Sequence, residues 1–277
     1  METKRTSRVG QTGIYVAKHF RIFLHEKGWS FIVFGAIISW LVASVVGKKM
    51  FNTYDSTKSG FFAIVSAIIW IGIFNSIQTI CKERSIIKYE HRTGLHISSY
   101  VISHVIYQAV ICFIQTAVML AIFMIYIDFP EDGLIFSSPI PEYFITIFLM
   151  LLASDVMGIA ISSIVRTSNA AMTVMPFVLI LQLIMSGVLF SLSGLTKKVA
   201  FFTISKWGMQ ALVSISDMNS LPLNITLEYP QINRVSTNPA YEATSEHILK
   251  VWAIFILFTA VFTLISIISL EFIDKDK

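Results

Sequence analysis

Charged residues are scarce in this sequence. Asp, Glu, Lys and Arg make up 14% of its 277 residues, whereas a soluble domain carries about 25%. Apolar residues reach 55%, and the mean hydropathy is +0.72. The composition therefore predicts a protein that crosses a membrane several times, and the net charge of +4 needs no nucleic acid to explain it.

The sequence also lacks the motifs of most catalytic and metal sites. Its two cysteines, Cys81 and Cys112, offer neither a disulfide framework nor metal-ligand spacing. It has no glycine-rich phosphate loop, no His-Glu-x-x-His helix and no nucleophile elbow. Asp155 is the only acidic residue well inside an apolar segment, whereas a proton-driven carrier usually has several. We therefore expect no enzyme activity, no metal site and no cofactor bound by this chain.

Six continuous apolar segments predict an all-α membrane protein with six transmembrane helices. Each segment runs for about twenty residues, which suits a helix that spans a bilayer, whereas barrel strands would alternate apolar and polar residues. Only helices and closed barrels satisfy the backbone in lipid. We expect one transmembrane domain over residues 1–277. The predicted spans are residues 30–47, 59–81, 98–127, 143–165, 170–192 and 247–270.

An amphipathic helix is predicted near the amino terminus. Residues 1–10 are polar and basic and are not a secretory signal. Across residues 11–30, apolar side chains such as Ile14, Phe20 and Phe23 recur at helical spacing among basic ones. Such a helix lies in the cytoplasmic interface of the membrane. It either only anchors the chain or also touches a partner.

Residues 81–97 form a charged island between the second and third predicted spans. A short basic loop between two spans stays in the cytoplasm. The segment is rich in helix formers, so we predict a short cytoplasmic helix at the membrane surface. Its charged residues are Lys82, Glu83, Arg84, Lys88, Glu90 and Arg92.

The distribution of basic residues predicts that both termini face the cytoplasm. Of the 21 Lys and Arg residues, six lie in the first 30 residues, four in the charged island and two in the carboxy-terminal tail. The loop after the third span has acidic residues and no Lys or Arg, as expected of an outside loop. The long segment 193–246 then also lies outside, and it contains a glycosylation sequon at Asn224-Ile225-Thr226.

Three groups of residues resemble one known family. They are Glu83-Arg84 with Glu90, Gly94 and Tyr100; Met175-Pro176-Phe177 with Ser186-Gly187-Val188-Leu189-Phe190; and Ser205-Lys206-Trp207-Gly208-Met209-Gln210-Ala211-Leu212. With the interface helix, six spans and long last loop, they resemble type 2 ABC transporter permeases, which are G-subfamily-like and have the type V exporter fold. The resemblance covers nearly the whole chain. The long loop has no cysteines, unlike that of the familiar eukaryotic members, which suggests a bacterial half-system.

The resemblance implies an ATP-driven exporter built from two permease units and two ATPase units. This chain would pair with an identical or similar permease, and a separate ABC ATPase chain would use ATP and Mg²⁺. Segment 81–97 would be the coupling helix that docks on the ATPase, and segment 193–246 would contain re-entrant helices. The alternative is that the charged residues of segment 81–97 only form a solvent-exposed face and contact no ATPase. The implied coupling residues are Glu83, Arg84, Lys88, Glu90, Arg92 and Gly94, where glycine permits the bend into the third span.

The same resemblance implies a substrate slit between the second and fifth spans of the two permeases. Near its outer end, Val188 and Leu189 resemble a hydrophobic plug. Ordinary helix packing is the alternative for each of these residues. The implied substrate-path residues are Phe74, Asn75, Gln78, Ile180, Gln182 and Leu183.

Polar residues elsewhere in the spans have a mainly structural interpretation. His104, Gln108, Ile111 and Gln115 share one face of the third span, which predicts hydrogen bonds between helices or, as an alternative, a polar substrate path. We expect Asp155 to be paired or hydrogen-bonded rather than to move ions.

The residues of the implied slit also suggest what is transported. Because they are mostly apolar, we expect an amphipathic cargo, such as a peptide, a lipid-like molecule or a drug, that moves outward across a bacterial plasma membrane. The alternative is a non-transporting membrane sensor or assembly scaffold that signals through its long outer loop. An ion channel is disfavoured because the sequence has no charged or carbonyl-rich filter segment.

Overall fold

The computed structural model describes residues 7–26, 28–222 and 238–273, and the sequon at 224–226 lies outside them. Within these residues every regular element is helical, as predicted. The α-helices are α1 (Arg8–His25), α2 (Trp29–Val46), α3 (Tyr54–Ser76), α4 (Thr79–Arg92), α5 (Ile97–Tyr126), α6 (Ile140–Ile164), α7 (Ser168–Met185), α8 (Gly194–Ala200), α9 (Ile204–Ile215) and α10 (Ser245–Glu271).

Six helical segments are long and apolar enough to cross a membrane, which confirms the predicted number. One of them comprises α3 and α4 together, and the others are α2, α5, α6, α7 and α10. The fifth span is shorter than the predicted 170–192, because α7 ends at Met185. Gly187 follows with a φ of +75°, a left-handed conformation that glycine adopts without steric cost. The apolar run therefore continues in the sequence after the helix has ended.

Helices α3 and α6 pack closely at the centre of the bundle through small residues. A Cβ atom added at Gly72 would lie 2.8 Å from the carbonyl oxygen of Leu151. One added at Gly158 would lie 2.9 Å from the carbonyl oxygen of Ile73. Small residues allow helix backbones to approach one another closely in membranes. The α3–α6 pair therefore forms a tightly packed centre to which the other elements attach.

Helix α1 is amphipathic, as predicted, and it begins and ends earlier than the predicted segment 11–30. Its inner face is aromatic and lies against α5. The ring centroids of His19 and His104 are 3.8 Å apart, and Phe20 meets the ring of Tyr107 edge-on at 5.2 Å. Edge-on aromatic contacts stabilise such a surface beyond the area that they bury. We infer that α1 is docked firmly on α5, whereas its position relative to a bilayer stays a prediction.

The first part of segment 193–246 folds into α8 and α9. Helix α9 is buried among α3, α6 and α10, and Gly208 lies so close to Met150 that a Cβ atom there would meet its sulfur. The Trp207 indole donates a hydrogen bond to the carbonyl oxygen of Phe201 over 2.9 Å, which fixes α9 against α8. Helix α9 is therefore part of the helical bundle, and whether α8 and α9 are re-entrant helices stays a prediction.

Candidate functional site: coupling helix and substrate path

The acidic residues of α4 are bonded inside the chain. Glu83 accepts a hydrogen bond from the Tyr100 hydroxyl over 2.9 Å, and its carboxylate lies 3.5 Å from the Lys18 amine. Glu90 accepts a hydrogen bond from the Tyr15 hydroxyl over 2.8 Å. Hydrogen bonds to charged groups are stronger than neutral ones. Both carboxylates therefore fasten α4 to α1, and Glu83 also fastens it to α5.

Burial and the neighbouring carboxylate keep the Tyr15 hydroxyl, which donates to Glu90, protonated. Desolvation raises the pKa of the Tyr15 hydroxyl well above its usual range, and the hydrogen bond to Glu90 raises it further. The Tyr15 hydroxyl therefore remains protonated, and a donor, at neutral and mildly alkaline pH.

The start of α4 is bonded to the end of α6. The Arg84 guanidinium donates to the carbonyl oxygens of Ser163 and Val165 over 2.9 and 3.2 Å. The Ser162 hydroxyl accepts from the backbone N–H groups of Ile80 and Cys81, each over 3.1 Å. The last carbonyl groups of a helix have no partner within it, so an arginine there satisfies them. Arg84 thus connects α4 with the α6–α7 turn.

The opposite side of α4 is exposed and has an apolar centre. Ile86 is 49% exposed and Tyr89 is 71% exposed, and the two residues lie one turn apart. Lys82, Ser85 and Arg92 continue the same exposed stripe. We call these five residues the outer face of α4. The charge pattern of the island does not indicate Ile86 and Tyr89; their spacing of three residues amid charged neighbours is the signal that the sequence offers.

Gly94 forms the bend after α4. Its φ is +112°, and the N–H of Leu95 donates back to the carbonyl oxygen of Glu90 over 3.0 Å. A left-handed backbone of this kind favours glycine. The position predicted to permit the bend into the third span is therefore the one at which the chain turns.

The three substrate-path residues on α3 are placed differently from one another. Asn75 is buried, and its amide donates to the Gln115 side chain over 2.7 Å. Gln115 in turn donates to the carbonyl oxygen of Phe31 over 3.2 Å. Phe74 is partly exposed, and Phe74, Asn75 and Gln78 all border one cavity of about 640 Å³. Contact of these residues with cargo stays a prediction.

The residues predicted from the fifth span also divide into buried and exposed ones. Gln182 is buried, and its side-chain oxygen accepts from the Ser205 N–H over 3.0 Å. Ile180 is exposed on the outside of α7, and Leu183 is partly buried. Gln182 therefore holds α7 against α9, whereas Ile180 is available to a second chain or to lipid.

The predicted plug lies in the non-helical segment after α7. Val188 is partly buried against the core, and Leu189 is 53% exposed. The Ser186 hydroxyl accepts from the Val188 N–H over 3.3 Å and so fixes the turn that presents them. The role of the two residues as a plug stays a prediction.

The polar residues on α5 and α6 are buried, as their spacing suggested. Gln115 confirms the expected hydrogen bond between helices through its bond to Asn75. Asp155 accepts from the Cys112 thiol over 3.3 Å, which supports its predicted structural role. His104 and Gln108 are also buried but have no such partner in the described part of the chain.

Comparison with known proteins identifies the family. Residues 11–216 match the ABC-2 type transporter family, and the chain belongs to this family of membrane permease domains. It is therefore a multi-pass permease, which confirms the resemblance seen in the sequence. The chain is 25% identical over 230 residues to the ABC transporter ATP-binding/permease protein Rv1747 of Mycobacterium tuberculosis. That match covers 78% of this chain and 26% of the relative, so this chain spans about a quarter of the relative's length.

Proposed function

We propose that this chain is the membrane-spanning subunit of an ATP-driven exporter for an amphipathic cargo, such as a peptide, a lipid-like molecule or a drug. Two permease chains, identical or similar, enclose a slit, and a separate ABC ATPase chain hydrolyses ATP with Mg²⁺. Both termini face the cytoplasm of a bacterial cell. Helix α4 receives the movement of the ATPase.

The two sides of α4 carry this proposal. On the inner side, Glu83, Arg84 and Glu90 bond to α1, α5 and the end of α6. On the outer side, Ile86 and Tyr89 are exposed. A partner that presses on the outer face therefore moves three other elements through charge-assisted hydrogen bonds. This arrangement suits a part that transmits force better than a loop that only connects two spans.

The relative supports the assignment of an ATPase partner. The relative's name combines an ATP-binding and a permease part, and this chain matches about a quarter of the relative's length. Residues 11–216 of this chain match a family of permease domains. We infer that an ABC ATPase works with this permease, and we propose that it is encoded as a separate chain.

The surfaces predicted to meet cargo are largely apolar. Phe74 and Ile180 are exposed on α3 and α7, and Leu189 is exposed beyond the end of α7. Exposed aromatic and aliphatic side chains of this kind favour an amphipathic cargo over an ion or a sugar chain. In the proposed dimer they face the slit and its plug.

Co-purification from the native membrane tests the proposal. The tagged chain is extracted in mild detergent, and its partners are quantified by mass spectrometry. We expect a near-equal amount of an ABC ATPase, and a loss of most of it with the double variant Ile86→Ala and Tyr89→Ala. Leu195→Ala is the control, because Leu195 is at least as exposed as Ile86 and Tyr89 but lies on α8. Recovery of the native chain without any ATPase would instead favour a sensor or scaffold.

A further inference from the structure

A cavity lies beside α4 within the chain. Its volume is about 640 Å³, and α1, α3, α4 and α5 form most of its walls. Binding sites for small molecules have volumes of about 300–1,000 Å³. The cavity is therefore large enough for a molecule rather than for a few waters. Phe74, Asn75 and Gln78 border it, and they are the residues implied for the substrate path on α3, so an inference about its occupant rests on the proposed function. Lys82 and Ile86 of the outer face of α4 border it as well.

Two buried polar side chains on α5 border this cavity without a partner. Gln108 is 3% exposed, and none of the described residues forms a hydrogen bond with its amide. His104, one turn earlier, is 4% exposed, and both of its ring nitrogens lack a partner among the same residues. Buried polar groups nearly always have hydrogen bonds, because leaving them without one is costly. His104 thus points to a group that is supplied from outside the chain, and the Gln108 amide, which borders the same cavity, is placed to bond with that group.

The rest of the wall is aromatic and apolar. Phe23, Phe31 and Phe74 come from α1, α2 and α3, and the rings of Phe31 and Phe74 have centroids 6.4 Å apart. Such a surface accommodates an acyl chain or another apolar body. One molecule in this cavity would therefore meet an apolar wall and hydrogen-bonding groups together.

The charged residues at the cavity balance one another. Lys18 and Lys82 contribute two positive charges, and Glu26 and Glu83 contribute two negative ones. A site with no net charge does not select strongly for an anion or a cation. Its chemistry favours a polar group that is uncharged or zwitterionic.

We propose that this cavity binds an amphipathic molecule with an uncharged or zwitterionic polar group. The apolar part packs on the aromatic wall, and the polar group forms hydrogen bonds with Gln108 and His104. The molecule comes either from the inner leaflet as a lipid or from the cytoplasm as a soluble amphiphile. Binding at this site does not depend on ATP-driven export, so it can be tested without an ATPase.

Photo-crosslinking tests the site and the source of its occupant. The chain is placed in phosphatidylcholine nanodiscs that contain a diazirine-tagged phosphatidylcholine, and adducts are mapped by mass spectrometry. In a parallel arm, diazirine-tagged dihexanoyl phosphatidylcholine is added from water. We expect adducts on the peptides that contain Phe31 and Phe74 in at least one arm, and the arm identifies the source. Absence of these adducts in both arms would show that water alone fills the cavity and would overturn the proposal.

Substitutions at Gln108 separate specific binding from contact with bulk lipid. Gln108→Phe fills the cavity, so adducts there should fall about tenfold, whereas adducts on the exposed side chains of α10 should not change. Val110→Phe adds the same ring to the exposed side of α5 and should have no effect. Gln108→Leu keeps the volume and removes one hydrogen bond, which predicts roughly two- to tenfold weaker labelling. If neither Gln108 variant changes the cavity adducts, the site does not bind in this way.

Discussion

Tyr15 on α1 donates a hydrogen bond to Glu90 on α4 over 2.8 Å, although the two residues are 75 positions apart in the chain. The bond joins the helix predicted to lie at the membrane interface to the helix predicted to meet the ATPase. A push on α4 therefore reaches α1 directly. The same bond explains why Glu90 is not available as a free charge on the surface.

Tyr15→Phe should weaken the attachment of α1 to α4. The substitution keeps the ring and removes the hydrogen bond to a carboxylate, so we expect a loss of about 1–2 kcal/mol of stability. Thermal unfolding in nanodiscs measures the loss. Tyr89→Phe is the control, because the Tyr89 side chain is exposed and should tolerate the change. Equal melting temperatures for the two variants would contradict a structural role of the Tyr15–Glu90 bond.

Gly158→Ala should separate α3 from α6. The added methyl group would lie 2.9 Å from the Ile73 carbonyl oxygen, and backbone cannot move aside easily. Overpacking of this kind costs about 1–3 kcal/mol, which a lower unfolding temperature would report. Gly13→Ala is the control on α1, since no atom lies within 4 Å of the added carbon there. That variant should instead be slightly stabilised, because alanine is the better helix former.

Acidification should loosen the docking of α1 through His19. Burial first, and Lys18 second, lower the pKa of His19 from 6.5 to about 4. Between these values the undocked state binds a proton that the docked state does not, so docking weakens as the pH falls from 6.5 towards 4. The total loss is at most about 3 kcal/mol. Unfolding temperatures between pH 7.5 and pH 4.5, compared with those of His19→Phe, isolate this effect; parallel pH profiles would contradict it.

The number of spans could be predicted from the sequence because long apolar runs leave the backbone few alternatives in lipid. The end of α7 could not be predicted in the same way. The chain stays apolar from Val188 to Phe190, whereas the backbone has already left the helix at Gly187. Hydropathy indicates that a segment is apolar but does not indicate its backbone conformation. Here the apolar segment continues beyond the end of α7.

The candidate site was harder to predict, because its residues take their roles from partners far away in the chain. Glu83 and Gln182 are polar residues in the expected segments. Their contacts, Tyr100 for the first and Ser205 for the second, depend on how helices pack. A polar residue in a helix signals only that a partner is needed. Whether that partner is cargo, an ATPase or the chain itself is decided by tertiary structure.

Gln182→Leu should destabilise the junction of α7 and α9. The Ser205 N–H is buried and would lose its acceptor, which costs about 1–3 kcal/mol. Ile180→Ala, on the exposed side of the same helix, should change stability by no more than about 0.5 kcal/mol. Thermal unfolding in nanodiscs measures the stability of both variants. If Gln182→Leu keeps full stability and alters only the transport of cargo, its predicted role as a substrate contact gains support instead.

The two sides of α4 should respond differently to truncation. Glu83→Ala leaves the buried Tyr100 hydroxyl without its acceptor, so we expect a loss of about 1–3 kcal/mol of stability together with uncoupling of ATP hydrolysis from transport. Tyr89→Ala removes an exposed ring that has no described partner in the chain, so stability should be kept while the ATPase is lost on co-purification. Unfolding temperature and ATPase recovery, measured on the same samples, distinguish the two effects. If Glu83→Ala instead keeps full stability and loses the ATPase, Glu83 contacts the partner directly, and the inner side of α4 is not the side that transmits force.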